Sequence, residues 1–311
     1  MSKTKPIPGI IPNPILEKEI LEVLDRFSGI LTEVRNFGTH VLKWSCEVSR
    51  GGYDSAALIM FFRNILEILD AISSLVKKSS IEPSKILLRT LLENLLYIDY
   101  MTTEETEKRA LSFFVWDIHR TIRKLKKLDQ SSEQGKQFLR QIKKDRLVGM
   151  ANINLNVDIV SFIKDKEARL QENRYFDIEE EYQRTASTQK NPPWYALYSG
   201  PKNLKELADK LQLAGVYDNF FRELSEFTHG TDIIRGKISK TDKVDEVYIS
   251  QIRLPFDAPY ITSQTISFSI DVFQAMIRYF VPDRLEDYSI WYVKELKNDI
   301  KWVGQCEIKP T

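Results

Sequence analysis

Histidine and cysteine are scarce in this chain. Its 311 residues include three histidines, His40, His119 and His229, and two cysteines, Cys46 and Cys306. They are far apart and not at metal-ligand spacing, so neither a zinc site nor a disulfide framework is expected. Two isolated cysteines fit a reducing cytoplasm. No apolar run reaches the ~18 residues that a membrane-spanning helix needs. Met1 to Pro14 contains prolines and no apolar core of signal-peptide length. The expectation is therefore a cytoplasmic protein with no membrane partner. Gly51-Gly52 is too short to make a phosphate-binding glycine loop, and no cofactor motif appears. Charge of one sign is also missing: 45 basic against 44 acidic residues give a net +1. A nucleic-acid surface would then be local and not a field of the whole molecule.

What is present is helical periodicity. The chain is 42% hydrophobic and 29% charged, a balance that separates it from disordered sequences. After the Asn13-Pro14 start signal, Ile20, Leu24, Phe27, Leu31 and Val34 recur at helical spacing to about Arg50, with Gly38 a candidate bend or break. Further helices are predicted over about 54–77, 83–100 and 102–127, the last from the capping-box pair Thr102 and Glu105. Weaker ones cover about 132–148 and 157–171. Residues 172–202 read as loop, with Asn191-Pro192-Pro193-Trp194 and Ser199-Gly200-Pro201 as turn signals. Asn203 and Glu206 have capping-box spacing and open a short helix. Alternation in Val247 to Leu254 predicts one strand or hairpin, and two helices follow near 262–280 and 284–301. The reading is all-α, with a small irregular or β insertion near 231–260. Its organisation is a long N-terminal helix over 1–50, a helical core over 51–230, and an irregular or β segment with C-terminal helices packed on that core over 231–311.

Two helices repeat an Arg-x-x-x-Glu pattern, Arg63 with Glu67 and Arg89 with Glu93. Spacing of four puts each pair on one face. The second helix carries Ile86, Leu87, Leu88, Leu91, Leu92, Leu95, Leu96 and Ile98, apolar nearly all round, so its charges must be paired or line a cavity. The pairs are either a structural salt-bridge network or a polar pocket for a ligand.

A second polar group lies in Tyr217 to Gly230. At about 100° per residue, Arg222, Ser225, Glu226 and His229 share one helix face, opposite Phe220, Phe221, Leu224 and Phe227. The α-carbons of Arg222 and His229 stand ~10.5 Å apart along the axis, close enough for the two side chains to hold one phosphate. The alternatives are a solvated face, or a histidine interacting with the dipole at a helix end before Gly230. Arg120, Arg123, Lys124 and Lys127 form the best local candidate for contact with an RNA backbone, although basic residues at a helix C-terminus also answer its dipole.

The segment from Ile86 to Tyr97 resembles the Arg-x-x-x-Glu helix of a bacterial family of unknown function. Phe221 to His229 is similar to that family's second hallmark, aromatic-Arg-x-Leu-Ser followed by histidine. The resemblance covers roughly residues 50–230, and the layout is similar to the HEPN helical superfamily. Many members of that superfamily are metal-independent ribonucleases of toxin and phage-defence systems. The resemblance implies catalytic roles for Arg222 and His229, with Arg63, Glu67, Arg89, Glu93, Ser225 and Glu226 as supporting or ligand-pocket residues. Histidine would move protons while the RNA 2′-hydroxyl attacks, and arginine would stabilise the phosphorane. Glu223 stands where active members often carry Asn, Asp or His, so its charge has to face away from the phosphate. The implied partners are RNA and a second copy of the chain or an operon-encoded protein. The competing expectation is a non-catalytic ligand- or partner-binding module.

Overall fold

A computed structural model describes residues 10, 18–49, 52–146, 158–229, 234, 237–240 and 247–308. Helices α1 (Lys18–Val48), α2 (Tyr53–Lys77) and α3 (Ile81–Thr103) come first, then α4 (Thr106–Leu128), α5 (Glu133–Lys144), α6 (Ile159–Leu170) and α7 (Phe176–Ala186). After α8 (Leu204–Lys210), α9 (Ala214–Val216) passes through a π turn at Tyr217–Phe221 into α10 (Arg222–His229). Strands β1 (Ile238–Lys240) and β2 (Val247–Ile249) follow. Then come α11 (Ala258–Phe280), α12 (Leu285–Trp291), a second π turn at Tyr292–Leu296, and α13 (Lys297–Val303). The fold is mainly α. Packing separates the chain into two units, one of residues 1–104 with 208–311 and one of residues 105–207.

In the first unit α1, α2, α3 and α11 pack on one another. Leu24, Phe27, Leu31, Val34 and Val41 of α1 are wholly buried, the stripe that spacings of three and four dictate. Burying each such side chain stabilises the fold by roughly 1.5–3 kcal/mol. Gly38 falls inside that stripe and does not break the helix. A Cβ there would sit 2.5 Å from Leu66 Cδ2 and 2.9 Å from Phe273 Cζ, so its role is to let three helices approach. Leu88, Leu91, Leu92, Leu95, Leu96 and Ile98 place α3 at the centre, while Ile86 faces solvent at 40% exposure. β1 and β2 pair antiparallel, Ile238 opposite Ile249 and Lys240 opposite Val247. The expected strand is thus real but ends at Ile249, well short of Leu254.

The second unit surrounds α4, whose Ala110, Val115, Ile118 and Ile122 are buried. Ser132 Oγ accepts from Gly135 N at 3.0 Å to start α5, and Asp158 accepts from Ser161 N at 3.0 Å to start α6. The expected capping role of Thr102 does not hold. Its hydroxyl bonds back to Ile98 O inside α3, and Glu105 precedes α4 with φ 47°. The expected loop over 172–202 contains α7, where buried Ile178, Tyr182 and Thr185 recur at helical spacing among charged neighbours. Trp194 is 2% exposed and packs edge-on against Phe113 at 6.0 Å, so the Pro192-Pro193-Trp194-Tyr195 segment is core.

Candidate functional site

The two motif helices of the first unit, α3 and α10, lie against each other. Apolar packing of α3 leaves Arg89 at the contact, with side-chain exposure of 20%, and Glu93 at 26%. Their ion pair is 3.1 Å long and follows from i,i+4 spacing. Arg89 Nε also donates to Ser225 Oγ on α10 at 2.9 Å, and its guanidinium lies 4.4 Å from the centre of the Phe221 ring. Ser225 donates in turn to Phe221 O at 2.6 Å. The guanidinium is thus held from three sides, by an acid, a hydroxyl and a ring face. Burial pushes the Glu93 carboxyl above the ordinary range, and Arg89 offsets this only in part.

The same motif on α2 has another setting. Arg63 and Glu67 pair at 2.7 Å, but both are more than half exposed, so nothing encloses them. Asn64 Nδ2 reaches Asn94 Oδ1 on α3 at 3.3 Å, next to the Arg89–Glu93 turn. Asn94 is 5% exposed and donates to Thr90 O at 2.7 Å.

Ser225 turns toward α3, whereas Arg222 and Glu226 turn to solvent. The expected single stripe is therefore divided between an inner and an outer part. Arg222 is 71% exposed and 3.7 Å from Asp218, one turn before it. Glu223 is exposed, and its charge acts on Tyr260. Burial, then the charges of Glu223 and Asp257, push that phenol up to about 12. His229 is the last residue of α10. Its side chain lies outside the described residues.

Lys85 is a buried charge that sequence reasoning passed over. It is 6% exposed, with Nζ 2.6 Å from Asp257 and 2.8 Å from Glu82, and lies 4.1 Å from the Phe227 ring centre. Burial works against its charge, but the two carboxylates outweigh that and hold its pKa above the ordinary lysine value. It ties the start of α3 to α10 two residues before His229. The only sequence signal was a lysine among apolar residues near the α3 start.

The basic candidates belong to the second unit. Arg120 pairs with Asp117 at 2.7 Å, and Arg123 donates to Tyr182 Oη at 2.9 Å. Lys124 and Lys127 are exposed. Beside them His119 meets Glu179 at 2.7 Å and stacks on Tyr182 with centroids 4.0 Å apart, a histidine in a packed polar cluster. Among the described residues no group of three or more His, Cys, Asp or Glu is placed to hold a metal ion, and no helix is long and apolar enough to cross a membrane.

Residues 55–245, more than half of the chain, match the model of a family of unknown function, DUF5677. No curated protein and no solved structure matches the chain.

Proposed function

We propose a function from one premise: this chain belongs to DUF5677, a family of unknown function, and the match spans both α3 and α10. The proposed function is that of a HEPN-like, metal-independent endoribonuclease effector, of the kind used by toxin or phage-defence systems in the cytoplasm. Arg222 and His229 are the reacting pair. The observation that carries this reading is the division of α10. Its inner side is anchored to α3 through Arg89 and Ser225, and its outer side presents Arg222 to solvent. The anchored helix fixes where this arginine leaves the backbone, and its fork of donors is open to a phosphate. The Arg222–Asp218 pair is weak competition, since exposed ion pairs contribute only about 0–1 kcal/mol.

In the proposed reaction the RNA 2′-hydroxyl attacks the adjacent phosphorus. His229 handles the proton transfers, and Arg222 stabilises charge on the phosphorane with its fork of donors. Bond cleavage leaves a 2′,3′-cyclic phosphate and a 5′-hydroxyl. The site is proposed to form in a homodimer; Lys124 and Lys127, exposed on the second unit, are proposed separately as contacts for an RNA backbone.

The test is RNA cleavage by purified protein in EDTA. Wild type should cut and leave the cyclic phosphate. A 2′-deoxy substrate should resist, and His229→Ala or Arg222→Ala should be inactive yet folded by circular dichroism. Undiminished cleavage by His229→Ala, or loss of wild-type cleavage in EDTA, would overturn the mechanism. A second reading draws on Asp218, which together with the exposed Glu223 and Glu226 makes the surroundings of Arg222 acidic. That setting suits a non-catalytic module docking a basic partner from an operon-encoded complex. Absence of RNA cleavage under all conditions, with a co-expressed partner retained on the wild type but lost with Arg222→Ala, would favour it.

A further inference from the structure

The first unit has a groove beside α11 that the α10 chemistry does not use. Its volume is about 570 Å³. That lies within the roughly 300–1,000 Å³ typical of small-molecule sites. Ile266 and Ile300 give it an apolar lining, and its polar side includes Asp271, Gln274 and Tyr288, with the Tyr292 ring beside them. Tyr288 is 7% exposed, and its ring stacks with Tyr292 at 6.2 Å between centroids. Gln274 Nε2 donates to the Tyr288 hydroxyl at 3.0 Å. Arg278 is engaged by the Gln274 carbonyl at 3.1 Å. Asp271 has no hydrogen-bond or ion-pair partner among the described residues, and neither has the side chain of Asp99 on α3. The two acids are near enough that the charge of Asp271 acts on Asp99. The groove thus joins an apolar surface to Asp271, an exposed acid with no ion-pair partner among the described residues, while the charge of Arg278 acts on Tyr288 beside it.

We propose that this groove binds a small organic ammonium compound. Its cationic nitrogen would lie on Asp271, and its hydrocarbon body would lie on Ile266, Ile300 and the Tyr292 ring. A cation there offsets the mutual repulsion of Asp271 and Asp99, and tyrosine faces favour it further. A neutral alcohol of the same shape gains the apolar part and ordinary hydrogen bonds, without the charge. The site stands apart from α10 and does not depend on RNA cleavage.

The experiment is calorimetric titration of the full chain with hexylammonium and with 1-hexanol, its neutral counterpart. Hexylammonium should bind saturably and about tenfold or more tightly than hexanol, the range of a charge-assisted hydrogen bond. Asp271→Asn should bring the two to the same affinity, with circular dichroism checking the fold. Equal binding of hexylammonium and hexanol to wild type would reduce the groove to an apolar cleft and overturn the proposal. So would absence of saturable hexylammonium binding. A lysine-containing pentapeptide that binds more tightly than hexylammonium would overturn the small-molecule assignment, because the ammonium would then belong to a protein partner.

Discussion

Replacing Asp99 with asparagine should stabilise the protein at neutral pH, although it removes a charge from a helix at the centre of the fold. Asp99 is part-buried on α3. Burial is the larger influence on its carboxyl and the Asp271 charge the smaller, and together they move it from the ordinary 3.8 to about 6. At about 1.36 kcal/mol per pH unit, ionising Asp99 in the folded chain costs at most about 3 kcal/mol more than in the unfolded chain. Residual exposure screens the charge, so roughly 1–3 kcal/mol is the expected gain. Asparagine has nearly the same shape and no charge to ionise. The sign follows from proton binding. An acid whose folded pKa is raised keeps its proton longer in the folded state. Between about pH 6 and pH 4 the folded wild type therefore binds more protons than the unfolded chain, and its stability rises as pH falls. The advantage of Asp99→Asn should be full near pH 7.5 and nearly gone by about pH 4. Urea denaturation followed by circular dichroism across that range measures it. A variant less stable than wild type near pH 7.5, or a difference that does not change with pH, would refute the argument.

Gly38→Ala should destabilise the protein by about 1–3 kcal/mol, as overpacking does, because the new Cβ meets Leu66 at 2.5 Å and Phe273 at 2.9 Å. An unchanged thermal midpoint would mean that α1, α2 and α11 separate without cost. Arg89→Met should cost about 2–3 kcal/mol, since it strands the part-buried Glu93 and Ser225 loses a donor. Ser225→Ala should cost about 1 kcal/mol. The double variant should fall short of their sum, and additivity within about 0.3 kcal/mol would show that the two side chains do not interact.

The long helices were legible because each buries a stripe that repeats at 3.6 residues, a local pattern. Leu24, Phe27, Leu31 and Val34 announce α1, and the leucines of α3 announce a central helix. The Arg89–Glu93 pair was legible for the same reason, since spacing of four brings its members together in any helix. What it touches was not. Ser225 lies 136 residues away, and only the packing of α3 on α10 brings its hydroxyl to Arg89. Arg63–Glu67 repeats the motif yet faces solvent, because neighbouring helices and not the motif decide burial. Helix α7 was hidden by Glu179, Glu180 and Glu181, which mask a narrow apolar edge. Gly38 looked like a break because local propensity does not show whether another helix lies against a glycine. Asp99 and Asp271 have no motif at all, since their proximity comes from α3 meeting α11.

The outward position of Arg222 follows from the two residues before it. Phe220 packs near Tyr260 and Phe268 of α11, at 6.1 and 6.0 Å between ring centroids. Phe221 is 6% exposed and lies under the Arg89 guanidinium of α3. Adjacent aromatics point in directions roughly 100° apart on a helix. Both find partners here because α11 and α3 flank the same segment. A third step of similar size leaves both helices, so Arg222 must face solvent once Phe220 and Phe221 are placed. The π turn at Tyr217–Phe221 contributes to the placement. Its extra residue shifts the upstream side chains relative to α10, and Tyr217 stacks on Phe221 at 4.8 Å. The exposed arginine and the fixed one are therefore two results of one packing arrangement. Any change that lets Phe221 leave α3 should disturb the direction of Arg222 as well as the Arg89–Ser225 bond.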